Sequence, residues 1–556
     1  MIKINSTKQP IKRLIVLLIT TMILALLISL LNISVKAEVN RSSGSGYDVG
    51  KAYYNSDYNY LNDENSVFQS ITWEQAVYLF DQPGNYLVLF GGSWCPNTTA
   101  VIDYINNAAK AAGVDTIYNL DFRLDGTSGD SHIRETNGSA KKGAAYNYLY
   151  GELVTRYLTN LNDWVEYTID SESALTYTNS EGAEVTVPKV QVPFLFLYNK
   201  DNTVNHAGDS VNGTKYPIVY GFEKMLYRDG NGEKALYTSS SEQNDTTRVD
   251  DYTEQLNDGI FSHVNEYKLS SFTDADYIRL AYNEKSGKTL FDEGDQINIR
   301  TVTYRQLDWL LRQDGNYLIL FGGTWCGNTQ AVIDIINDYA VANNVIVYNF
   351  DTKLDGGYAK KYWGYPEELH IRDNNNVFAN LYVDLVNKYL DNIETEYTIE
   401  SGNYIFYQTA PDDESTKKIA NKLQVPYLFA YNKDAIDDNG HDIPILGYVE
   451  KMFVLDETRE DFIGNEANHT EYSNAVSGVI DAYKNKFGDT SGGIIKSEIS
   501  EISTDESITD VNEENNGGSN NTAKIIVAVI GVIAVIGVVV FLAIGKNRSS
   551  GGGGCC

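Results

Sequence analysis

Two cysteines carry the chemistry that this sequence offers. Cys95 and Cys326 each follow a short apolar run, and each precedes a segment whose apolar residues recur at helical spacing. A cysteine at the start of a helix faces unpaired backbone N–H groups and the positive end of the helix dipole, which favour the thiolate. The thiolate is the form that attacks a disulfide. The pattern therefore indicates thiol–disulfide chemistry at both positions.

The position three residues after each cysteine is threonine, Thr98 in one motif and Thr329 in the other. A threonine hydroxyl can donate a hydrogen bond to a thiolate, but it cannot attack a mixed disulfide. Each cysteine can therefore capture a disulfide or a small thiol without a neighbouring thiol to release it. Two alternatives stay open. An unpaired cysteine often acts as a small buried hydrophobic residue, and Cys95 could pair with Cys326 if their Cα atoms lay within about 7 Å.

The two motifs belong to an internal duplication. YLVLFGGSWCPNTTAVIDYI begins at position 86 and YLILFGGTWCGNTQAVIDII at position 317, an offset of 231. Further matched segments keep the same order, with offsets between 227 and 238. Repetition on this scale predicts two domains of one fold. We call residues 66–267 the first copy and residues 298–487 the second copy.

Each copy has the element pattern of an α/β domain. Thr72 and Thr303 open capping boxes that predict short helices, and further helices are predicted after each cysteine and over 251–267 and 470–487. Apolar runs predict buried strands at 86–90, 116–120, 193–198 and 218–220, and at 317–321, 345–350, 426–431 and 445–447. Partly helical insertions, 127–187 and 357–420, come before the third strand of each set. This order predicts an α/β sheet with a mixed edge.

A strand that runs into Trp-Cys-x-x at a helix start, with a Val-Pro pair opening a later strand, resembles the thioredoxin family. The likeness rests on 90–98 with 192–193 and on 321–329 with 425–426, and it covers most of both copies. It implies that each proline is cis, faces the cysteine and borders a groove that takes an extended peptide as an added strand. The predicted site residues are nucleophilic Cys95 and Cys326, hydroxyl donors Thr98 and Thr329, and substrate-binding Trp94, Val192, Pro193, Trp325, Val425 and Pro426, with no metal and no cofactor.

The chain departs from the dithiol members of that family in two ways. Threonine replaces the second cysteine, and Leu89 and Leu320 stand where thioredoxins place a buried aspartate. Efficient two-electron cycling by one domain is therefore not expected. We predict a monothiol protein that forms mixed disulfides with client proteins or small thiols. The alternative is a non-catalytic module that binds peptides or proteins on the same fold.

The ends of the chain set the expected compartment. Residues 1–37 have a basic head, an apolar run and a small-residue cleavage site, which is typical of a secretory signal peptide, with an uncleaved anchor as the alternative. Residues 524–545 hold an apolar stretch long enough to span a bilayer. These features predict a type I cell-membrane protein with one spanning helix and both copies outside. The other predicted segments are linkers at 38–65 and 268–297, an acidic stalk at 488–523, and a cytoplasmic tail at 546–556 whose Cys555-Cys556 ending resembles a lipidation signal.

Composition excludes several classes of protein. A net charge of −31 argues against a nucleic-acid partner, because phosphate binding needs clustered Lys and Arg. Four cysteines in 556 residues exclude a disulfide scaffold and a multi-cysteine metal cluster.

Two weaker motifs occur in both copies. Acidic pairs follow the second strand, and we interpret them as solvated loops, with Ca²⁺ binding or tuning of the thiol as the alternatives. A His-x-Arg motif further on offers a positive partner for the thiolate. The residues are Asp121, Asp125, His132 and Arg134 in the first copy and Asp351, Asp355, His370 and Arg372 in the second.

Overall fold

The structure is a computed structural model that describes residues 49–224, 226–228, 236–237, 247–410, 412–451, 466–484 and 493–495. The predicted signal peptide, spanning helix and cytoplasmic tail lie outside the described residues, as does nearly all of the predicted stalk. None of the described helices combines the length and the apolar character that a bilayer crossing needs.

The first copy is an α/β domain with a helix in front of it. Its capping box is complete, because the Thr72 side chain accepts from the Gln75 N–H and the Gln75 side chain accepts from the Thr72 N–H. Its elements are α1 (Val49–Asp57), β1 (Phe68–Ser70), α2 (Trp73–Phe80), β2 (Tyr86–Phe90), α3 (Pro96–Ala111), β3 (Ile117–Leu120), α4 (Tyr148–Tyr157), β4 (Leu175–Thr178), β5 (Glu184–Val187), β6 (Phe194–Tyr198), β7 (Ile218–Glu223), β8 (Tyr227–Arg228), β9 (Leu236–Tyr237), α5 (Thr247–Leu256) and α6 (Ser262–Val264), the last two joined by a π turn.

The second copy repeats this order, again behind a helix, which lies in the segment predicted as a linker. Its elements are α7 (Asp274–Ser286), β10 (Ile299–Thr301), α8 (Tyr304–Leu310), β11 (Tyr317–Phe321), α9 (Gly327–Gln330), α10 (Ile333–Ala342), β12 (Val347–Phe350), α11 (Tyr358–Trp363), α12 (Ala379–Tyr389), β13 (Tyr404–Gln408), β14 (Lys417–Asn421), β15 (Tyr427–Tyr431), β16 (Ala435–Asp437), β17 (Ile445–Glu450), α13 (Glu466–Lys484) and β18 (Gly493–Ile495). Strand β18, from the predicted stalk, pairs with β16. The eight strands predicted from the sequence are confirmed.

Each copy contains one mixed five-stranded sheet, ordered β1-β3-β2-β6-β7 in the first copy and β10-β12-β11-β15-β17 in the second. The strand order and the parallel and antiparallel pairings are consistent with two thioredoxin-like domains in tandem. Phe90 at the end of β2 pairs with Phe194 at the start of β6, and Phe321 pairs with Tyr427 in the same way. The loop that carries each cysteine therefore lies next to the Val-Pro pair, at the end of the sheet where the first of the two paired strands ends and the second begins.

The helices in front of the two copies, α1 and α7, are called the leading helices, and each packs against both copies. Helix α1 lies against β1 of the first copy and against α8 of the second. Helix α7 lies against β10 of the second copy and against α2 of the first. Each leading helix thus joins the edge strand that follows it to the capping-box helix of the other copy.

Aromatic side chains from the insertions hold the copies together. The rings of Tyr148 and Tyr365 stack with centroids 3.9 Å apart. Trp363 meets Trp73 edge to face at 5.2 Å, and the Tyr365 hydroxyl donates to Glu152 at 2.7 Å. Buried aromatic contacts of this kind contribute large apolar areas, so the copies are joined through a hydrophobic interface.

Candidate functional site

Each cysteine sulfur lies beside the Val-Pro pair of its own copy. The Cys95 Sγ is 3.4 Å from the carbonyl oxygen of Val192, and the Cys326 Sγ is 3.4 Å from that of Val425. Both Val-Pro peptide bonds are cis, as the resemblance implies. The two sites are thus built alike, and each cysteine pairs with its own copy's strand rather than with the other cysteine.

The helices that begin at the two cysteines differ. Cys95 is the N-cap residue of α3, which runs for 16 residues with Pro96 in its first turn. Cys326 is the N-cap residue of α9, which has four residues and ends before the irregular backbone at Val332. Cys95 thus begins a long helix, as the sequence predicts, whereas Cys326 begins only a single helical turn.

Both cysteines and both threonines are buried. Cys95 is 4% exposed and Cys326 is 8% exposed, so a reagent reaches either sulfur only after the surrounding chain moves. The Thr98 and Thr329 hydroxyl oxygens make no hydrogen bond in the structure, to sulfur or to any other atom. Thr98 instead packs against Gly91, where an added Cβ would lie 2.8 Å from its methyl group. The predicted hydroxyl donation to the sulfur is therefore absent from this geometry.

The tryptophan before each cysteine is fixed on both its edge and its face. The Trp94 indole N–H donates to Asp121 at 2.8 Å, and the Arg123 guanidinium lies 3.7 Å from the ring centroid. In the second copy Trp325 donates to Asp351 at 2.8 Å, with the Lys353 ammonium 4.0 Å from its ring. A hydrogen bond and a cation–π contact together immobilise each ring, so Trp94 and Trp325 form fixed walls beside the cysteines.

The acidic pairs are not solvated loops, which corrects the sequence interpretation. Asp125 is buried and accepts hydrogen bonds from the Thr127 and Ser128 N–H groups, while Asp355 is fully buried. Burial raises the pKa of Asp355 to about 6 and the pKa of Asp121 and of Asp351 to about 7. No group of three or more His, Cys, Asp or Glu residues in the described part of the chain could hold a metal ion.

The histidines cannot supply the positive charge considered for them. Burial, followed by the nearby arginines, lowers the pKa of His132 and of His370 to about 2, so both are neutral at physiological pH. The arginines carry the charge instead. Arg134 and Arg372 are buried, and neither makes an ion pair with a carboxylate among the described residues.

The arginines reach the same strand segment as the sulfurs. Arg134 donates to the Val190 carbonyl, two residues before the Val192 carbonyl that contacts Cys95. The guanidinium and the sulfur thus contact carbonyl groups two residues apart in the segment that leads into β6. Burial lowers the pKa of Arg134, while Tyr150 and then Cys95 act to raise it. Arg372 repeats the contact with the Leu423 carbonyl at 2.6 Å.

Sequence reasoning missed Glu74 and Arg305. They occupy equivalent places in the two capping boxes and carry opposite charges. The reversed charge at matched positions was the available signal, although sequence alone does not distinguish it from variation at a solvated surface. Each reaches across to the other copy: Glu74 approaches Thr324, and Arg305 binds Asp57.

An open cleft lies between the copies, and equivalent residues of the two domains line it. The two Trp-bound aspartates and the two cations over the tryptophans face this shared space. The paired lining residues are Asn119 and Asn349, Asp121 and Asp351, and Arg123 and Lys353.

No protein-family model matches the chain. No curated protein matches it either. Among solved structures, the chain is similar to ERdj5 in its crystal form II, at 8% identity and a TM-score of 0.16, covering 77% of this chain and 30% of that one. It is also similar to ERdj5 form I (9% identity, TM-score 0.15, 70% and 27%) and to the zinc-bound form of human ERp44 (11% identity, TM-score 0.09, 51% and 77%). The chain thus spans less than a third of the length of the ERdj5 structures it matches.

Proposed function

We propose that the protein forms mixed disulfides with client proteins or small thiols through Cys95 and Cys326, on the outer side of a membrane that it crosses once. The observation that carries the proposal is the repeated contact of each Sγ with the carbonyl before a cis proline, at 3.4 Å in both copies. The buried arginine that binds the same segment supports it, since a buried charge is costly to keep and such charges occur often at functional sites.

The reaction is a single exchange. The Cys95 thiolate attacks one sulfur of a client disulfide, the new sulfur–sulfur bond forms, and the client's other sulfur leaves as a thiolate that takes up a proton. The cysteine is thereby oxidised and the leaving client sulfur is reduced. Because Thr98 offers no second thiol, the adduct persists until an external thiol attacks it.

The test is adduct formation by the full-length chain, with Cys555 and Cys556 replaced by serine so that only the two site thiols remain. After incubation with glutathione disulfide, peptide-resolved mass spectrometry should find one glutathione on Cys95 and one on Cys326, both removed by reductant. Cys95→Ser and Cys326→Ser should each lose one adduct.

Burial of the sulfurs favours a second candidate, a binding module with inert thiols. Under that function the native chain gives no adduct, whereas the same chain in denaturant gives two. A partner captured by the native chain would then also survive reductant and persist in the variant that lacks both cysteines.

A further inference from the structure

The loops that carry the cysteines are each linked to the opposite copy, the second directly through Glu74 and the first through Asp57 of α1. We call residues 91–95 and 322–326 the cysteine loops. Thr324, in the second loop, donates its hydroxyl to the Glu74 carboxylate of the first copy at 3.2 Å. Glu74 is 2% exposed, forms an ion pair with the fully buried Lys285 side chain of α7, and accepts the Tyr277 hydroxyl at 2.8 Å. Lys285 also donates to the Thr324 hydroxyl oxygen at 2.8 Å.

The first cysteine loop has the matching arrangement. Ser93 stands where the second copy has Thr324, and its hydroxyl donates to Asp57 at the end of α1. Asp57 in turn binds Arg305 of the second copy, whose Nε donates to its carboxylate at 3.0 Å. The charges are reversed relative to the other side, but the order is the same: capping-box residue, leading helix, cysteine loop.

These contacts have a direct bearing on reactivity. Ser93 and Thr324 each immediately precede a Trp-Cys pair, and both sulfurs are buried, so a reaction needs the loop to open. The rate of such a reaction follows the population of the opened loop. Each hydrogen bond that holds a loop closed lowers that population.

We propose that Glu74 and Arg305 are positioning residues that control access to the cysteine of the opposite copy: Glu74 to Cys326, and Arg305 to Cys95. This inference rests on the proposed function, because it describes how access to the same two thiols is regulated. It makes the tandem pair the functional unit, because neither cysteine loop is complete without the other domain.

The experiment measures the alkylation rates of Cys95 and Cys326 separately, with iodoacetamide and peptide-resolved mass spectrometry, on the same full-length chain. Arg305→Gln should speed alkylation of Cys95 about two- to tenfold, the range that one lost hydrogen bond implies, and leave Cys326 unchanged. Arg305→Lys, which keeps the charge, should return Cys95 most of the way to the original rate. Lys418→Gln is the control, because exposed Lys418 of the second copy pairs with Asp384 and touches neither loop.

The reciprocal variant combines Glu74→Leu with Lys285→Met, so that no uncompensated buried charge remains. It should speed alkylation of Cys326 by a similar factor and spare Cys95. In a Thr324→Val background the same pair of substitutions should have little further effect on Cys326, because the hydrogen bonds to Thr324 that they remove are already gone. If this variant fails to fold, the Arg305 series still decides the matter.

Equal acceleration at both sulfurs would indicate general destabilisation and overturn the inference, as would an effect confined to the variant's own copy. The alkylation rate reports the accessibility of each sulfur, whether or not the thiols form mixed disulfides. The crossed pattern without glutathione adducts would uphold the inference and reject the proposed function, and adducts without the crossed pattern would do the reverse.

Discussion

Trp325, the residue before Cys326, donates its indole N–H to the Asp351 carboxylate at 2.8 Å. The other carboxylate oxygen of Asp351 is buried and makes no hydrogen bond in the structure. Burial raises the pKa of Asp351 to about 7, so this carboxyl group takes up a proton close to neutral pH. The site thus contains a group other than the two thiols, the Asp351 carboxyl group, that titrates near neutral pH.

Asp351→Asn should remove a pH dependence of stability. An unfolded aspartate has a pKa of about 3.9, so between about pH 4 and pH 7 the folded chain binds more protons than the unfolded chain. The free energy of unfolding therefore falls as pH rises through that window, by up to about 1.4 kcal/mol per pH unit for one group. The asparagine keeps the acceptor for Trp325 and does not titrate. Urea unfolding at several pH values should show a flatter profile for the variant, and an unchanged profile for exposed Asp209→Asn; equal slopes in the original chain and Asp351→Asn would contradict the expectation.

His132→Gln should protect the protein against mild acid. Burial, then the charge of Arg134, lowers the pKa of His132 to about 2, against about 6.5 when unfolded. Below about pH 6.5 the unfolded chain takes up a proton that the folded chain excludes, so stability falls as pH falls, again by up to about 1.4 kcal/mol per pH unit. Glutamine can still accept the 2.9 Å hydrogen bond from Arg134. Denaturant unfolding at pH 7 and pH 5 should show a smaller loss in the variant. Exposed His441→Gln is the control, and an undiminished loss in His132→Gln would rule the explanation out.

Trp363→Ala should destabilise the interface between the two copies. The indole is 8% exposed and contacts Trp73 of the first copy edge to face. Truncating a buried tryptophan costs about 3–5 kcal/mol. Urea unfolding should therefore show a loss of this size and a separation of the transitions of the two copies. Val377→Ala, at a 43% exposed position of the second copy, should change stability by no more than about 0.5 kcal/mol. A loss that small in Trp363→Ala would show that the interface contributes little.

Thr98→Cys should convert capture into release. Thr98 is fully buried, and its hydroxyl oxygen has no hydrogen-bond partner in the structure, so a thiol in place of that hydroxyl breaks no hydrogen bond. Once Cys95 carries glutathione, the new thiol can attack the mixed disulfide and expel it. Acid-quenched samples should lose the adduct at Cys95 and keep the one at Cys326. Thr98→Ser, which adds no thiol, should keep both, and retention of the Cys95 adduct in Thr98→Cys would mean that the two sulfurs cannot meet.

Local patterns predicted the parts of each domain well. The Thr72 and Thr303 capping boxes form both of their reciprocal hydrogen bonds, because those bonds join residues three apart and need no tertiary context. The apolar runs at 86–90 and 317–321 are buried at every position. The proximity of each cysteine to its Val-Pro pair could also be predicted, because the end of one strand lies beside the start of the other when the two strands pair in this register.

Local patterns failed where distant groups set the environment. Asp125 and Asp355 have the composition of a solvated turn, yet folding buries both. The charge state of His132 depends first on its burial, which no spacing reveals, and then on Arg134 two residues away.

The sequence by itself determined the duplication, the α/β element order and the monothiol character of the two motifs, because repeats, periodicity and residue identity are properties of the chain. Only the tertiary structure decided that both sulfurs are buried, that arginine rather than histidine carries the nearby charge, and that Glu74 and Arg305 reach the cysteine loops of opposite copies. Those properties depend on solvent exclusion and on contacts between residues up to 250 positions apart, which form only when the two domains pack together.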